Sequence, residues 1–273
     1  MSDNIAFIGG GNMARSLIGS LIAKGRAASS IHVTEPVAAL RAALQSDFGV
    51  SVFDTGTAAV AGASAWVFAV KPQVMRTVCE SLAAQAQMQR PLVISIAAGI
   101  TGSQLERWLG GALPVVRTMP NTPALLGAGV TGLHASNHVD AAGRTFAETL
   151  LAAAGKTVWI DSEDLMDAVT AVSGSGPAYV FLLAEAMIEA GISEGLPAEA
   201  ARTLALQTVL GAARMLTEED APDAAELRRR VTSPNGTTQA AIESFEAGGL
   251  RALVANAIHA ARERGRELSA ANE

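Results

Sequence analysis

The chain has one cysteine and three lysines in 273 residues. A lone Cys79 excludes an intramolecular disulfide and any thiolate metal cluster within one chain, and it reads as a small buried hydrophobe rather than a nucleophile. Charged residues make up only 17%, the net charge is -6, and the basic residues are scattered. Without a basic patch there is little to grip a phosphodiester backbone, so nucleic acid is not an expected partner. The one basic run, Arg228-Arg229-Arg230, fits a solvated helix face or a contact to a partner's phosphate. No uninterrupted apolar run reaches the roughly 18 residues that suggest a membrane span, and no charged-then-apolar leader precedes the first strand. A soluble, cytoplasmic protein is expected, with no membrane partner. His32, His134, His138 and His259 offer only the loose His134/His138 pair, so no metal is expected. The G-x-S-x-G and G-x-x-x-x-G-K-[ST] patterns are missing, which speaks against a serine hydrolase of that type and a P-loop nucleotidase.

What the sequence has is apolar residues, 49% of the total, and 26 glycines. That suits a well-buried globular chain of one large domain or two ordinary ones. The glycines concentrate first in Ile5-Ala6-Phe7-Ile8-Gly9-Gly10-Gly11-Asn12-Met13-Ala14. Four apolar residues run into a glycine cluster, and the cluster opens a segment in which Met13, Leu17, Leu21 and Ile22 share one helical face. Gly9, Gly11 and Ala14 fit G-x-G-x-x-G/A, in which the first glycine turns the chain and the second lets backbone approach a pyrophosphate. The small third residue allows helix to pack on strand. The helix start adds unpaired N–H groups and about half a positive charge. The stretch predicts dinucleotide binding through Gly9, Gly10, Gly11, Asn12 and Met13.

Residues 30–35 predict a second strand ending in Glu35. An acid about 20 residues past the fingerprint commonly bonds the adenosine ribose. A carboxylate repels a 2'-phosphate, so Glu35 points toward NADH, although Arg41 stands close enough in sequence to offset it. Further strands are expected at 50–52, 65–70, 92–96, 114–117, 131–134 and 157–160. Lys71-Pro72 ends the fourth, and Ala97-Ala98-Gly99 follows the fifth with little side-chain bulk, leaving room for a flat ligand at the strand's carboxyl end. Thr118–Pro123 is a turn stiffened by two prolines. Strands alternating with helices give an α/β Rossmann-type doubly wound sheet, largely parallel and covered on both faces.

From Asp161 the character changes to alanine, leucine and glutamate. Helices are expected over 163–172, 177–193, 197–217, 223–231, 237–247 and 249–267, so the division is residues 1–160, a dinucleotide-binding domain, and 161–273, an all-α domain. Such apolar helices are more easily buried against a second copy than in water, which predicts at least a homodimer. Two loops interrupt them. Ser173-Gly174-Ser175-Gly176-Pro177 reads as a hinge or kink, and Thr232–Thr238 as a turn capped by hydroxyls. Equally, each offers glycine, N–H groups and hydroxyls as a socket for a small carboxylate.

Together these motifs resemble the pyrroline-5-carboxylate reductase family. The matching blocks are Gly9–Ala14, Ala69-Val70-Lys71-Pro72, Ala97–Ile100, Met119-Pro120-Asn121-Thr122-Pro123, Ser173–Tyr179 and Ser233-Pro234-Asn235-Gly236-Thr237-Thr238, in the family's order over nearly the whole chain. The resemblance implies reduction of 1-pyrroline-5-carboxylate to L-proline with NADPH or NADH. It also implies a Rossmann domain joined to a helical dimerisation domain, with each active site completed by the partner subunit. Ala69, Val70, Lys71, Pro72, Ala97 and Ala98 would then line the nicotinamide side, and Ser233, Gly236, Thr237 and Thr238 would hold the substrate. Asn235 stands where the family often has a second glycine, and Glu35 where NADPH-preferring members often carry small or basic residues.

Reducing an already electrophilic cyclic imine asks mainly for positioning of the hydride donor. The helical half has no lysine, and His259 is its only histidine. In the substrate loop that the resemblance implies, Thr238, as a hydroxyl near the imine nitrogen, is the expected catalytic residue, orienting the ring and relaying a proton, with Ser233 and the N–H groups of Gly236 and Thr237 on the carboxylate. Two other readings compete. A 3-hydroxy-acid dehydrogenase would need a lysine on the first interdomain helix, and residues 161–189 contain none. A dinucleotide-binding regulator without turnover would have no use for an intact substrate loop.

Overall fold

The computed structural model describes residues 4–272. The apolar run Ile5–Ile8 is strand β1, buried over its whole length. Alternation along it feeds two cores: Ile5 and Phe7 join one apolar cluster and Ala6 and Ile8 the other. After β1 come α1 (Asn12–Ala23), β2 (Ile31–Thr34), α2 (Ala38–Phe48), β3 (Ser51–Phe53), α3 (Gly56–Ala59), β4 (Ala65–Phe68), α4 (Pro72–Gln89), β5 (Leu92–Ser95), α5 (Gly102–Trp108) and β6 (Val115–Met119). The remaining strand region is β7 (Gly129–Ala135), α6 (Ala141–Leu151) and β8 (Gly155–Trp159).

These strands form one eight-stranded sheet in the order β3-β2-β1-β4-β5-β6-β7-β8. It is parallel from β3 to β6, β7 runs antiparallel to β6, and β8 lies parallel to β7. The expected Rossmann-type sheet is therefore present, with an antiparallel step at β7. The short connection 120–128 explains that step, because a parallel crossover takes a dozen or more residues. Ala14, Leu17, Ile18 and Leu21 of α1 pack into one core. Met75, Cys79, Leu82 and Ala86 of α4 fill the other with Trp66 and Phe68. Burying each such large apolar side chain contributes about 1.5–3 kcal/mol. Both faces of the sheet are thus covered.

Order reverses at β1, with β2 and β3 on one side and β4 onward on the other. In open α/β sheets, ligands bind beyond the carboxyl ends of the strands at such a switch point. Gly9 and Ala69 leave the carboxyl ends of β1 and β4 there.

The rest is helical: α7 (Met166–Val169), α8 (Gly176–Ser193), α9 (Ala198–Thr217), α10 (Ala224–Arg230), α11 (Thr237–Ala247) and α12 (Leu250–Ala270). Packing divides the chain into two compact units, one running to Ser175 and taking in the chain from Ala260 onward, the other Gly176–His259. That division falls later than the change in composition at residue 161. Residues 161–175 stay with the sheet because Arg117 of β6, 4% exposed, bonds Asp167 Oδ1 at 2.9 Å and Glu163 Oε1 at 3.4 Å. Within the second unit α8 packs on α9, yet Phe181, Leu182, Leu204 and Leu253 remain more than half exposed. The helical run Glu163–Ser193 is long and apolar enough to cross a membrane by length and composition, with little of it buried.

Candidate functional site

The three glycines after β1 answer three different demands. Gly9 has φ +104°, and a Cβ there would lie 2.8 Å from the Ala69 carbonyl oxygen. Its N–H donates to Thr34 O at 3.0 Å, tying β1 to the end of β2. At Gly10 a Cβ would meet Leu44 Cδ1 at 2.5 Å. Gly11 differs: a Cβ would meet nothing within 4 Å, and the residue is exposed. It caps α1 with no side-chain hydrogen bond, and the first turn of α1 carries no acid. The positive end of α1 accordingly opens beside exposed Gly11 and Asn12, with Met13 half-buried behind them. A pyrophosphate fits this chemistry, since the N–H donors are oriented and no carboxylate in the first turn competes.

Glu35 follows β2 and is 8% exposed. Its Oε2 accepts the Gly10 N–H at 3.3 Å and its Oε1 the Val37 N–H at 3.0 Å. Arg41 does not reach this carboxylate in the way its nearness in sequence suggested. Its Nη1 donates to the carbonyls of Glu35 and Pro36 at 2.7 and 2.8 Å. The acid thus braces the glycine loop with two of its roughly four lone-pair sites, leaving capacity for a ribose hydroxyl.

At the neighbouring strand ends the side chains are small, as the sequence requires for a flat ligand. The Ala69 N–H still bonds Ile8 O at 2.8 Å, although β4 itself stops at Phe68, so Ala69 and Val70 belong to the turn. Lys71 caps α4 and is exposed, and Pro72 takes the first helical position, where a missing N–H costs nothing. Beyond β5, Ala97 is buried and Ala98 half-buried, with the Ala97 N–H on Ser95 Oγ at 3.3 Å. Gly99 has φ +69°, and a Cβ there would lie 3.2 Å from Leu268 Cβ. Asn272 Nδ2 donates to Gly99 O at 3.2 Å, and Gln104 Nε2 to Ser269 O at 2.9 Å. The end of α12 therefore backs the loop that carries Ala97 and Ala98, which sequence reasoning missed.

The Ser173–Pro177 segment does not end the helical run, but it is irregular: Ser175 is a bend between a π turn and α8. Helical conformation continues from Glu163 to Ser193, and Thr170–Gly174 is a π turn with the Ser175 N–H on Thr170 O at 2.8 Å. Serine, glycine and proline in a row resemble a helix stop. Here the widened turn absorbs them.

In the second unit, Thr232–Thr238 forms a tight turn leading into α11. The Gly236 N–H donates to Ser233 O at 3.1 Å, and the Asn235 N–H to Gln239 Oε1 at 2.7 Å. Asn235 has φ +58°. Asparagine tolerates this left-handed conformation better than most residues, so it can serve where relatives use glycine. Gly236 caps α11 without a side-chain bond and no acid occupies the first turn. Ser233 and Thr237 are exposed and Thr238 half-buried. As at the α1 start, a glycine caps the helix and no acid sits in the first turn, while here the Gly236 N–H is already held by Ser233 O.

Several other side chains bear on readings made from the sequence. Arg229 and Arg230 bond Glu226 at 2.7 and 2.8 Å, and these hydrogen bonds, Arg229's first, pull the Glu226 carboxyl down to about 2. Arg228, Arg229 and Arg230 are all exposed, as a solvated helix face demands. Burial, with a smaller push from Glu80, raises the Cys79 thiol to about 12, so it is not a nucleophile at neutral pH. His134 Nδ1 lies 2.9 Å from Ile160 O and His138 is exposed. Among the described residues no group of three His, Cys, Asp or Glu could hold a metal ion. Asn121, which the sequence placed in a matching block without a role, is 9% exposed and bonds both Val130 and Ser173. The only hint was its place between two prolines, where a buried polar side chain needs partners.

Comparison with known proteins gives two family models. One described as pyrroline-5-carboxylate reductase dimerisation matches residues 163–268, and one described as NADP oxidoreductase coenzyme F420-dependent matches residues 4–99. The chain is 54% identical over 266 residues to a pyrroline-5-carboxylate reductase of Pseudomonas aeruginosa, covering 97% of this chain and 96% of that protein. Among solved structures, a pyrroline-5-carboxylate reductase from Coxiella burnetii superposes with a TM-score of 0.94 at 43% identity, over 98% of this chain and 99% of that one. The Plasmodium falciparum pyrroline carboxylate reductase with NADP bound gives a TM-score of 0.84 at 27% identity, over 97% and 98% of the two chains.

Proposed function

Because the chain belongs to the pyrroline-5-carboxylate reductase family, we propose that it reduces 1-pyrroline-5-carboxylate to L-proline at the expense of NADH or NADPH. A bound reduced nicotinamide supplies the hydride. Addition of hydride to the imine carbon sends the C=N electrons to nitrogen, which with its proton becomes the secondary amine of the product.

The observation that carries this reading is the pair of helix starts. Gly11 before α1 and Gly236 before α11 both cap without a side chain, and neither first turn holds an acid. One suits a pyrophosphate and the other a small carboxylate. Gly9, Gly10, Gly11, Asn12 and Met13 would hold the pyrophosphate and Glu35 the adenosine ribose. Ala69, Val70, Lys71, Pro72, Ala97 and Ala98 would bound the nicotinamide. Ser233, Gly236 and Thr237 would take the substrate carboxylate, with Thr238 orienting the ring and passing a proton to nitrogen. Glu35 would favour NADH, since a carboxylate beside the adenosine ribose would repel a 2'-phosphate.

Residues 1–160 act as the dinucleotide-binding domain and 161–273 as the helical dimerisation and substrate domain in this proposal. The exposed apolar residues of α8 and α9 suit a second copy of the chain as the covering partner, giving a homodimer or higher homo-oligomer. A cytoplasmic site of action fits an enzyme that draws on the cell's soluble nicotinamide pool. The test is direct: mix the purified protein with 1-pyrroline-5-carboxylate and either reduced cofactor, then follow the nicotinamide absorbance and assay for proline. Consumption with at least one cofactor and matching proline is the expected result. No consumption with either rejects the proposal in favour of a non-catalytic dinucleotide binder.

A further inference from the structure

Asn121 and Pro177 solve one problem between them. In an α-helix the carbonyl of Ser173 accepts the N–H of the residue four positions on. That residue is Pro177, which has no N–H to give. At this point the helix widens into the π turn Thr170–Gly174, a distortion that occurs often at functional sites. A side chain 52 positions earlier takes up the carbonyl: Asn121 Nδ2 donates to Ser173 O at 3.2 Å. The other end of the same amide, Oδ1, accepts the Val130 N–H at 3.0 Å. One partner is a carbonyl and the other an N–H, so the amide's orientation is fixed by what it touches. Gly174 then lies against Met119, whose methyl group would have to shift to admit a Cβ at that position.

The location gives this latch its interest. Met119 ends β6 and Asn121 follows two residues later, at the carboxyl end of the parallel strands. Thr118 Oγ1 donates to Ser95 O at 2.9 Å, and Ser95 Oγ accepts the Ala97 N–H at 3.3 Å. Bonds therefore run without a gap from the loop carrying Ala97 and Ala98, through β6, to the π turn.

We propose that Asn121 is a positioning residue for imine reduction: by holding the carbonyl that Pro177 leaves without its donor, it fixes the π turn beside the Ala97–Ala98 wall of the nicotinamide pocket. The inference rests on the reaction proposed above. Asn121 touches neither cofactor nor substrate. It acts through Ser173.

The test is a double-mutant cycle. Asn121→Asp keeps an acceptor for Val130 and removes the donor to Ser173, while Pro177→Ala returns an N–H at the position where a helix supplies one. For wild type, both single variants and the double variant, kcat, the KM for 1-pyrroline-5-carboxylate, the cofactor Kd and the melting temperature are measured. Asn121→Asp should lower kcat by about tenfold or more, as misplacement of a reacting group does, with the cofactor Kd within about threefold. In the Pro177→Ala background the same change should alter kcat by only about twofold, because coupled sites are not additive. Equal losses of kcat in both backgrounds, or an unchanged kcat for Asn121→Asp, would overturn the inference. If Asn121→Asp does not fold, Asn121→Ser runs the same cycle without a buried charge. A wild-type chain without turnover would overturn the reaction and this inference together. An active wild type with additive variants would overturn this inference alone.

Discussion

Replacing Glu35 with serine should move cofactor preference toward NADPH, and the size of the effect follows from what the carboxylate does. It is 8% exposed and bonded to the Gly10 and Val37 N–H groups at 3.3 and 3.0 Å. Arg41 gives its guanidinium to two backbone carbonyls, one of them Glu35's own, so a cation stands near the carboxylate and trims the repulsion it can exert on a 2'-phosphate. Two like charges about 4 Å apart repel by ~1 kcal/mol in water and ~4 kcal/mol at an effective dielectric of 20. At the mouth of an open cleft the lower part of that range applies, so removing the acid should relieve ~1–3 kcal/mol of repulsion against a 2'-phosphate. For NADH the change deletes a charge-assisted bond to a ribose hydroxyl, a loss of ~1.5–3 kcal/mol. The two effects add in the ratio of specificities, giving a swing of roughly 2.5–6 kcal/mol, or about two to four orders of magnitude toward NADPH. Serine is the substitution of choice because a hydroxyl at this position can still accept the N–H two residues on and keep the turn. The assay is kcat/KM for NADH and for NADPH at saturating imine, with the melting temperature as the control for folding. A folded variant whose preference stays within about twofold of wild type would show that Glu35 only braces Gly10 and never meets the ribose.

Other consequences can be checked beside it. Thr238→Ala should lower kcat by about ten- to a hundredfold, in the range of a lost positioned proton-transfer group, with the cofactor Kd nearly unchanged; an unaltered rate removes Thr238 from the mechanism. Gly9→Ala puts a methyl group 2.8 Å from the Ala69 carbonyl at a φ of +104°. It should weaken cofactor binding and lower the melting temperature, which binding titration and calorimetry would report, whereas Gly11→Ala, with nothing within 4 Å, should leave the melting temperature alone. Cys79, with its thiol raised to about 12, stays protonated at pH 8 in the folded chain and should react with a thiol reagent only after denaturant is added. Rapid labelling of the native protein would contradict its burial.

Most of the sheet could be read from the sequence because its strands are buried on both faces and appear as unbroken apolar runs. Ile5–Ile8 and Ala65–Phe68 show this best. The fourth strand was read too long, through Val70, since an apolar residue in a turn cannot be told from one in a ladder by composition. The antiparallel placement of β7 was legible in principle from the shortness of 120–128, although residue types alone do not reveal strand direction. At the candidate site, the nearness of Glu35 to Gly10 followed from the spacing of the motif. The π turn did not. Ser173 to Pro177 contains local helix breakers, and one of the carbonyls there is bonded by an amide contributed from 52 residues away. No window along the chain holds both partners. The bonds of Arg41 were not legible for a related reason, because the direction of a guanidinium depends on which backbone oxygens the fold brings within reach.

The return of residues 260–272 to the sheet has a bearing on how the chain is made. Leu268, Ser269 and Asn272 contact Gly99 and Gln104, so the unit that starts to emerge first from the ribosome is completed last. Until the final turn of α12 has left the exit tunnel, the loop beyond β5 lacks its backing. The nascent protein therefore waits through the synthesis of the whole helical unit with its sheet unit unfinished.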